Sequence, residues 1–380
     1  MKIAMIGQKG IPAQYGGVET HVERLSQNLA ERDFDVSVYC RRWYSENESD
    51  ENQEKHSSIR QIYSPSIKTK RLDTITHTLT STIHALTQDY DIIHYHGVGP
   101  SLFSWIPRIF SNSKVISTFH CIDRKHGKWG ILGKTVLRIG EWASCNFPHE
   151  TISVSKGIKN YAYKAYDTAT KHIPNGTPLY TKNTETNQIE KWNLNSKEYI
   201  LVVSRLISHK GVHYVIEAFK KLKNQFPKLM EEKKLVIVGS ARYDDKYTEK
   251  IKNMAKSKND IILTGFQTEE SLEQLFSNAK LMISASENEG LPITILEGMS
   301  YKLPVILSDI PEHKELIDNP EYLFENKNIQ DLQETLKKTL KQNKKDLNKQ
   351  AERNRKKIEQ EYSWDSITEE IIDLYKETKK

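Results

Sequence analysis

Two successive sets of short, β-branched apolar runs, each run followed by a longer stretch of helical spacing, constrain this chain more than any other feature. Strands covered on both faces become near-continuous apolar runs, so the pattern reads as parallel strands joined by crossover helices. The first set is KIAMIG (Lys2 to Gly7), DVSVYC (Asp35 to Cys40), YDIIHYH (Tyr90 to His96), KVISTFH (Lys114 to His120) and ETISVS (Glu150 to Ser155). The second is YILVVS (Tyr199 to Ser204), KLVIVGS (Lys234 to Ser240), DIILTG (Asp260 to Gly265), KLMISA (Lys280 to Ala285) and LPVILS (Leu303 to Ser308). The fold class that follows is α/β. A length of 380 residues suits two domains with a ligand cleft between them. The polar, helix-poor stretch from about Gly176 to Lys197 is read as their connection. The expected division is 1–180, 181–362, and a closing helix over 363–380. In that helix Ile367, Ile371, Leu374 and Tyr375 share one face, suited to a return to the first domain.

Composition narrows the class further. An apolar share of 37% with 28% charge is that of a soluble globular protein, and no run of uncharged apolar residues is long enough to span a bilayer. Met1 leads straight into the first strand without the zones of a signal peptide, which predicts the cytoplasm. Cys40, Cys121 and Cys145 are odd in number and lack metal-ligand spacing, so they are read as reduced thiols. The net charge of +6 is spread among acidic residues along the chain and selects no partner; nucleic acid is not expected.

The strongest motif is SENEGLPITILEGMS, Ser286 to Ser300, directly after KLMISA. Gly290 allows close backbone approach, while Leu291 and Pro292 open a helix. A helix start at the carboxyl end of a parallel strand offers free N–H groups and a positive dipole, a natural seat for a diphosphate. Glu289 stands before that helix and Glu297 inside it, two acceptors suited to hydroxyls rather than phosphate. A second motif, VVSRLISHKGVHYVIEAF, carries Arg205, Lys210 and Gly211 from a strand into an amphipathic helix. Two such cations can grip a diphosphate, arginine by its planar fork and lysine as a point charge.

The pairing of SRLISHKG with ENEGLPITILEG resembles the donor site of retaining GT-B glycosyltransferases of the large paired-glutamate family, whose order of elements matches essentially the whole chain. The resemblance implies two Rossmann-like doubly wound domains facing across a cleft. It implies that Arg205 and Lys210 neutralise the donor diphosphate, that Glu297 binds the nucleotide ribose and that Glu289 binds hydroxyls of the donor sugar. Gly265 and Phe266, in LTGF, are similar to the family's segment beside the nucleotide base. The amino-terminal GQKGIPAQYGGVETHVERL lacks a G-x-G-x-x-G fingerprint, which disfavours a nicotinamide enzyme. Instead Gly16 and Gly17 precede a helix expected from about Glu19 to Arg32, with Thr20 available to cap it and its start open to an anion. The resemblance assigns this loop to donor phosphates and acceptor, and KGIPAQYGGVET looks like a subgroup containing bacterial rhamnosyltransferases of polysaccharide assembly.

His120 resembles a family histidine that contacts the donor sugar, with Asp123 as its candidate orienting partner. His94 and His96, in HYHG, could suggest a metal, but no further ligand with suitable spacing appears; His96 is read as cleft lining and no metal is expected. Asp244 and Asp245 are read as solvated. No cofactor is expected either. The implied reaction is transfer of a sugar, rhamnose or another hexose, from a nucleoside-diphosphate sugar to a saccharide or lipid-linked acceptor, with retention and without metal. The segment CIDRKHGKWGILGKTVLRIGEW mixes Arg124, Lys125, Lys128, Lys134 and Arg138 with Trp129, Ile131, Leu132, Val136 and Leu137, a composition suited to an anionic membrane surface at the inner face of the plasma membrane. A sugar-nucleotide epimerase, a phosphorylase of similar fold with pyridoxal phosphate, and a non-catalytic nucleotide-sugar binding protein are the rival readings.

Overall fold

The computed structural model describes residues 1–14, 16–45, 58–69, 72–125, 130–240, 246–256 and 260–380. Tyr15, Lys128, Trp129, Asp244 and Asp245 lie outside the described residues, as does the side chain of Lys125. The chain forms two compact units, Met1–Gly176 with Trp364–Lys380, and Thr177–Ser363.

The first unit is built on β1 (Lys2–Ile6), β2 (Asp35–Arg41), β3 (Ile59–Ser64), β4 (Ile92–His96), β5 (Lys114–Phe119), β6 (Glu150–Ser153) and β7 (Lys171–His172). They pair in the order β3-β2-β1-β4-β5-β6-β7, parallel throughout. The second unit repeats the plan with β8 (Tyr199–Val203), β9 (Lys234–Val238), β10 (Ile261–Gly265), β11 (Leu281–Ser284), β12 (Val305–Ser308) and β13 (Leu323–Phe324), in the order β10-β9-β8-β11-β12-β13. Both orders reverse once, between β1 and β4 and between β8 and β11, and ligands of such sheets bind at the carboxyl ends of the strands where the order reverses. The edge strands β3, β7 and β13 are absent from the sequence reading. β7 and β13 are two residues each, and β3 exposes Arg60 and Tyr63 and half-buries Gln61, so none of the three has the apolar run of a central strand.

Eleven described helices of eight residues or more cover the sheets: α1 (Gly17–Ala30), α2 (Asp73–Leu86), α3 (Ile131–Asn146), α4 (Lys156–Tyr166), α5 (Val212–Gln225), α6 (Lys246–Ala255), α7 (Glu269–Asn278), α8 (Ile293–Ser300), α9 (Ile329–Lys341), α10 (Lys344–Glu361) and α11 (Trp364–Lys379). The apolar face of α11 closes the core of the first unit. Trp364, Ile367, Ile371, Leu374 and Tyr375 are buried among Val22, Leu25 and Leu29 of α1 and Ile3 and Ile92 of the sheet. Burying a side chain of this size contributes roughly 1.5–3 kcal/mol, so this face fixes the helix, whereas its exposed ion pairs from Arg32 to Asp365 and Glu369 add little. The stretch read as a connection is instead part of the second unit. Tyr180 and Asn183 donate backbone N–H groups to the Ser300 and Ser277 hydroxyls, each at 2.9 Å, and Ile189 and Leu194 are buried.

Candidate active site

At the switch point of the second unit, two loops leave neighbouring strand ends. One runs from β8 through Arg205 to Gly211, the other from β11 to the start of α8. They are stitched together: the Glu287 N–H donates to the His209 carbonyl at 2.8 Å. Gly211 has φ 66°, and a Cβ there would stand 2.0 Å from the Ala285 carbonyl oxygen, so both the conformation and the space require glycine. This close approach delivers Lys210 to Glu289, and the two form a short, largely buried ion pair. Burial alone pushes the Glu289 carboxyl up; the Lys210 charge and hydrogen bond, helped by Ser286, hold it down at about 2. Glu289 is therefore ionised at neutral pH.

Arg205 is exposed at the start of the same loop, and among the described residues no ion pair engages it. Leu291 and Gly290 are buried, and Glu297 is half-buried in α8. The helix begins at Ile293, with Pro292 at the N-cap and not in the first turn. Gly265 ends β10, beside β9, and Phe266 follows with 46% of its surface exposed. Sequence reasoning missed His313. It is fully buried, its Nδ1 within 3.0 Å of the Ser308 hydroxyl and 2.9 Å of the Ser308 carbonyl, and burial lowers it to about 4 although Glu289 pulls the other way. The Ser308 hydroxyl donates to the Ser286 carbonyl at 2.6 Å, so a chain of polar contacts supports Glu289 from behind.

The first unit holds different groups at its switch point. Gly16 has φ 105° and caps α1, which starts at Gly17, two residues before the predicted start. A Cβ on Gly16 would lie 2.4 Å from a carboxylate oxygen of Glu19, which folds back over the helix start and accepts from the Lys9 ammonium at 2.7 Å. The start of α1 thus carries an internal carboxylate, which was not foreseen. Thr20 does not cap it: its hydroxyl lies inside the helix and donates to the Gly16 carbonyl at 3.2 Å.

His120 follows β5 and is 7% exposed. Its Nε2 shares a hydrogen bond with Nδ1 of His96 at 3.2 Å, while Asp123 accepts from the Cys121 thiol at 3.3 Å; the expected orienting partner is thus replaced by a histidine. His96 is not lining but interior, 1% exposed, with Nε2 3.3 Å from the Met5 sulfur. His94 is satisfied on both sides, by the Tyr375 hydroxyl and by Thr118, each at 2.7 Å. His21, on α1, packs edge-on against His120 and tilted against His96. Burial lowers His21 to about 4, against a hydrogen bond from the Asn175 side chain that acts in the raising direction, and lowers His96 and His120 well below the ordinary imidazole range. Four neutral imidazoles therefore fill this interior at neutral pH.

Residues 184–360 match the family described as glycosyl transferases group 1, and residues 15–179 match glycosyltransferase family 4. An uncharacterized glycosyltransferase of Methanocaldococcus jannaschii is 25% identical over 99% of this chain and 98% of its own length. The O-antigen chain mannosyltransferase C of Escherichia coli is 20% identical over 99% of this chain and 98% of its own. Among solved structures, Anabaena HepE in complex with UDP superposes with a TM-score of 0.78 at 18% identity, covering 99% of this chain and all, 100%, of that one. Two family matches that follow one another along the chain, on two parallel sheets of this strand order, make it a GT-B glycosyltransferase of the group 1 family.

Proposed function

We propose that this chain is a retaining, metal-independent hexosyltransferase that moves a sugar, rhamnose or another hexose, from a nucleoside-diphosphate sugar to a saccharide or lipid-linked acceptor of cell-surface polysaccharide. The observation that carries the reading is the Lys210–Glu289 ion pair beside exposed Arg205 at the second switch point. Arg205, Lys210 and the N–H groups at the start of α8 take the diphosphate. Glu289 accepts sugar hydroxyls, Glu297 the ribose hydroxyls, and Phe266 stacks on the base beside Gly265. Gly16 and Gly17 meet donor phosphates and acceptor, and His120 meets the donor sugar. The barrier lies in breaking the bond from the anomeric carbon to the phosphate oxygen, so stabilising the leaving diphosphate is the main task. The acceptor oxygen bonds to that carbon on the same face, and its proton passes to the departing phosphate oxygen. The products are a glycoside and a nucleoside diphosphate. The UDP bound by HepE and the saccharide named for the E. coli relative support this choice of donor and acceptor.

We also propose contact with an anionic membrane through α3. Ile131 is 88% and Leu132 78% exposed, Val136, Ile139 and Trp142 are exposed with them, and Lys134 and Arg138 share the helix. Arg124 is not available to lipid, because it pairs with fully buried Glu141 at 3.0 Å and with the Tyr161 hydroxyl at 2.5 Å. No described helix is long and apolar enough to cross a membrane. Incubation with a panel of nucleotide sugars and acceptors, read by NMR, tests the function. The expected product keeps the anomeric configuration of the donor, with free nucleoside diphosphate only when acceptor is present. An inverted product, or isomerised donor without acceptor, would contradict it.

A further inference from the structure

The interior of the first unit contains a cluster of histidines of which the sugar chemistry above uses only His120. His21 on α1, His96 at the end of β4 and His120 after β5 each offer a ring nitrogen, and these atoms all lie within 4.8 Å of one another. No two of the three are close in sequence; the parallel sheet and the helix packed on it bring them together. From these residues we infer a binding site for a divalent first-row transition ion, zinc in the first instance, held by the imidazoles of His21, His96 and His120.

Ligand chemistry, spacing and unmet polar capacity all support the site. Zinc takes imidazole nitrogens at about 2.0–2.1 Å, which in tetrahedral geometry sets the nitrogens roughly 3.3 Å apart. The His96 Nδ1 to His120 Nε2 distance of 3.2 Å already has that spacing. His21 lies within 4.8 Å, so at most about 1.5 Å of movement brings its nitrogen to the same spacing. His96 directs its other nitrogen to the Met5 sulfur, which favours the tautomer with Nδ1 as a lone-pair donor. His120 then gives up its Nε2 proton to Nδ1, a tautomer shift, so no cationic imidazole has to be discharged. Both ring nitrogens of His21 are buried and make no hydrogen bond of regular geometry; the Asn175 side chain interacts with the ring, and ligation of the nitrogen it does not serve removes a cost. His120 is the least buried of the three, at 7% exposed, so an ion would enter from its side. Occupancy also withdraws His120 from the donor sugar, making the ion an inhibitor. That consequence rests on the function proposed above, whereas the binding does not.

The test uses the full chain, stripped with EDTA and desalted. Cobalt(II) should bind at about one ion per chain with the intense visible bands of tetrahedral coordination, zinc should displace it, and zinc should raise the melting temperature. His21→Phe keeps a ring against His120 and Trp364 but removes the nitrogens. It should fold, melt no lower than wild type without metal, and bind cobalt at least ~100-fold more weakly. Should that variant not fold, His120→Gln carries the same binding expectation at the most accessible ligand. Absence of cobalt bands in wild type overturns the site, and so does equal binding by wild type and variant, which would mean an adventitious ion only. If binding is confirmed but zinc leaves transfer unchanged with an identified donor, the site stands and the role given to His120 falls.

Discussion

The two switch points share one strand order and hold opposite kinds of chemistry. In the second unit the loops after β8 and β11 lock a Lys210–Glu289 ion pair into a nearly dry setting; in the first, the ends of β4 and β5 and the face of α1 gather neutral imidazoles. The difference teaches where the doubly wound plan leaves choice. The fold supplies convergent strand ends, and the side chains decide whether that place carries an ion pair or neutral imidazoles.

The largest effect should come from removing the charge of the second unit. Arg205→Ala and Lys210→Met are each expected to lower kcat/KM by ~3 kcal/mol, on the order of a hundredfold, with circular dichroism unchanged. Near-normal rates in both would place the diphosphate elsewhere. Lys210→Met also has a pH signature. In the wild type the folded pKa of Glu289, about 2, lies below its ordinary 4.5, so the stability it contributes is complete above 4.5 and is lost as pH falls through about 2. Without Lys210, burial acts with little opposition and raises the carboxyl, so the acid limb of stability should move to higher pH. Urea melts from pH 7 to pH 4 would show this shift, and identical profiles would contradict the pairing.

A finer division separates the two glutamates. Glu297→Ala should weaken nucleoside diphosphate binding, read by calorimetry, while Glu289→Gln should retain nucleotide affinity and lose transfer. Equal loss of nucleotide affinity in both would remove the distinction. The smallest effect belongs to the first unit. Tyr375→Phe deletes the hydroxyl on His94 while keeping the α11 packing, and should cost about 1–2 kcal/mol of stability with transfer unchanged.

The same contrast explains what was legible in the sequence. Central strands announce themselves because both faces are covered, and the loops after β8 and β11 are each contiguous in sequence, so Arg205, Lys210 and Glu289 could be singled out from motifs. The edge strand Ile59–Ser64 pairs on one side only and keeps polar residues, which hid it. The histidine cluster was hidden for another reason: residues 21, 96 and 120 meet only through β4–β5 pairing and the docking of α1, so no local spacing betrays them. The Glu19–Lys9 bond and the support of Glu289 by Ser286, with His313 behind it, likewise arise from chain reversals. The stretch Gly176 to Lys197 read as a connection because it is polar, yet Ser277 and Asn278 of the second unit hold it there through side-chain hydrogen bonds to its backbone.

The central claim is that the second switch point holds the donor nucleotide. Hydrogen exchange with and without a saturating nucleoside diphosphate, the one that most raises the melting temperature, tests it most directly. Protection should grow in peptides covering Arg205 to Gly211, Gly265 to Phe266 and Ser286 to Glu297. Stabilisation by the nucleotide with no added protection in these three segments would contradict the account.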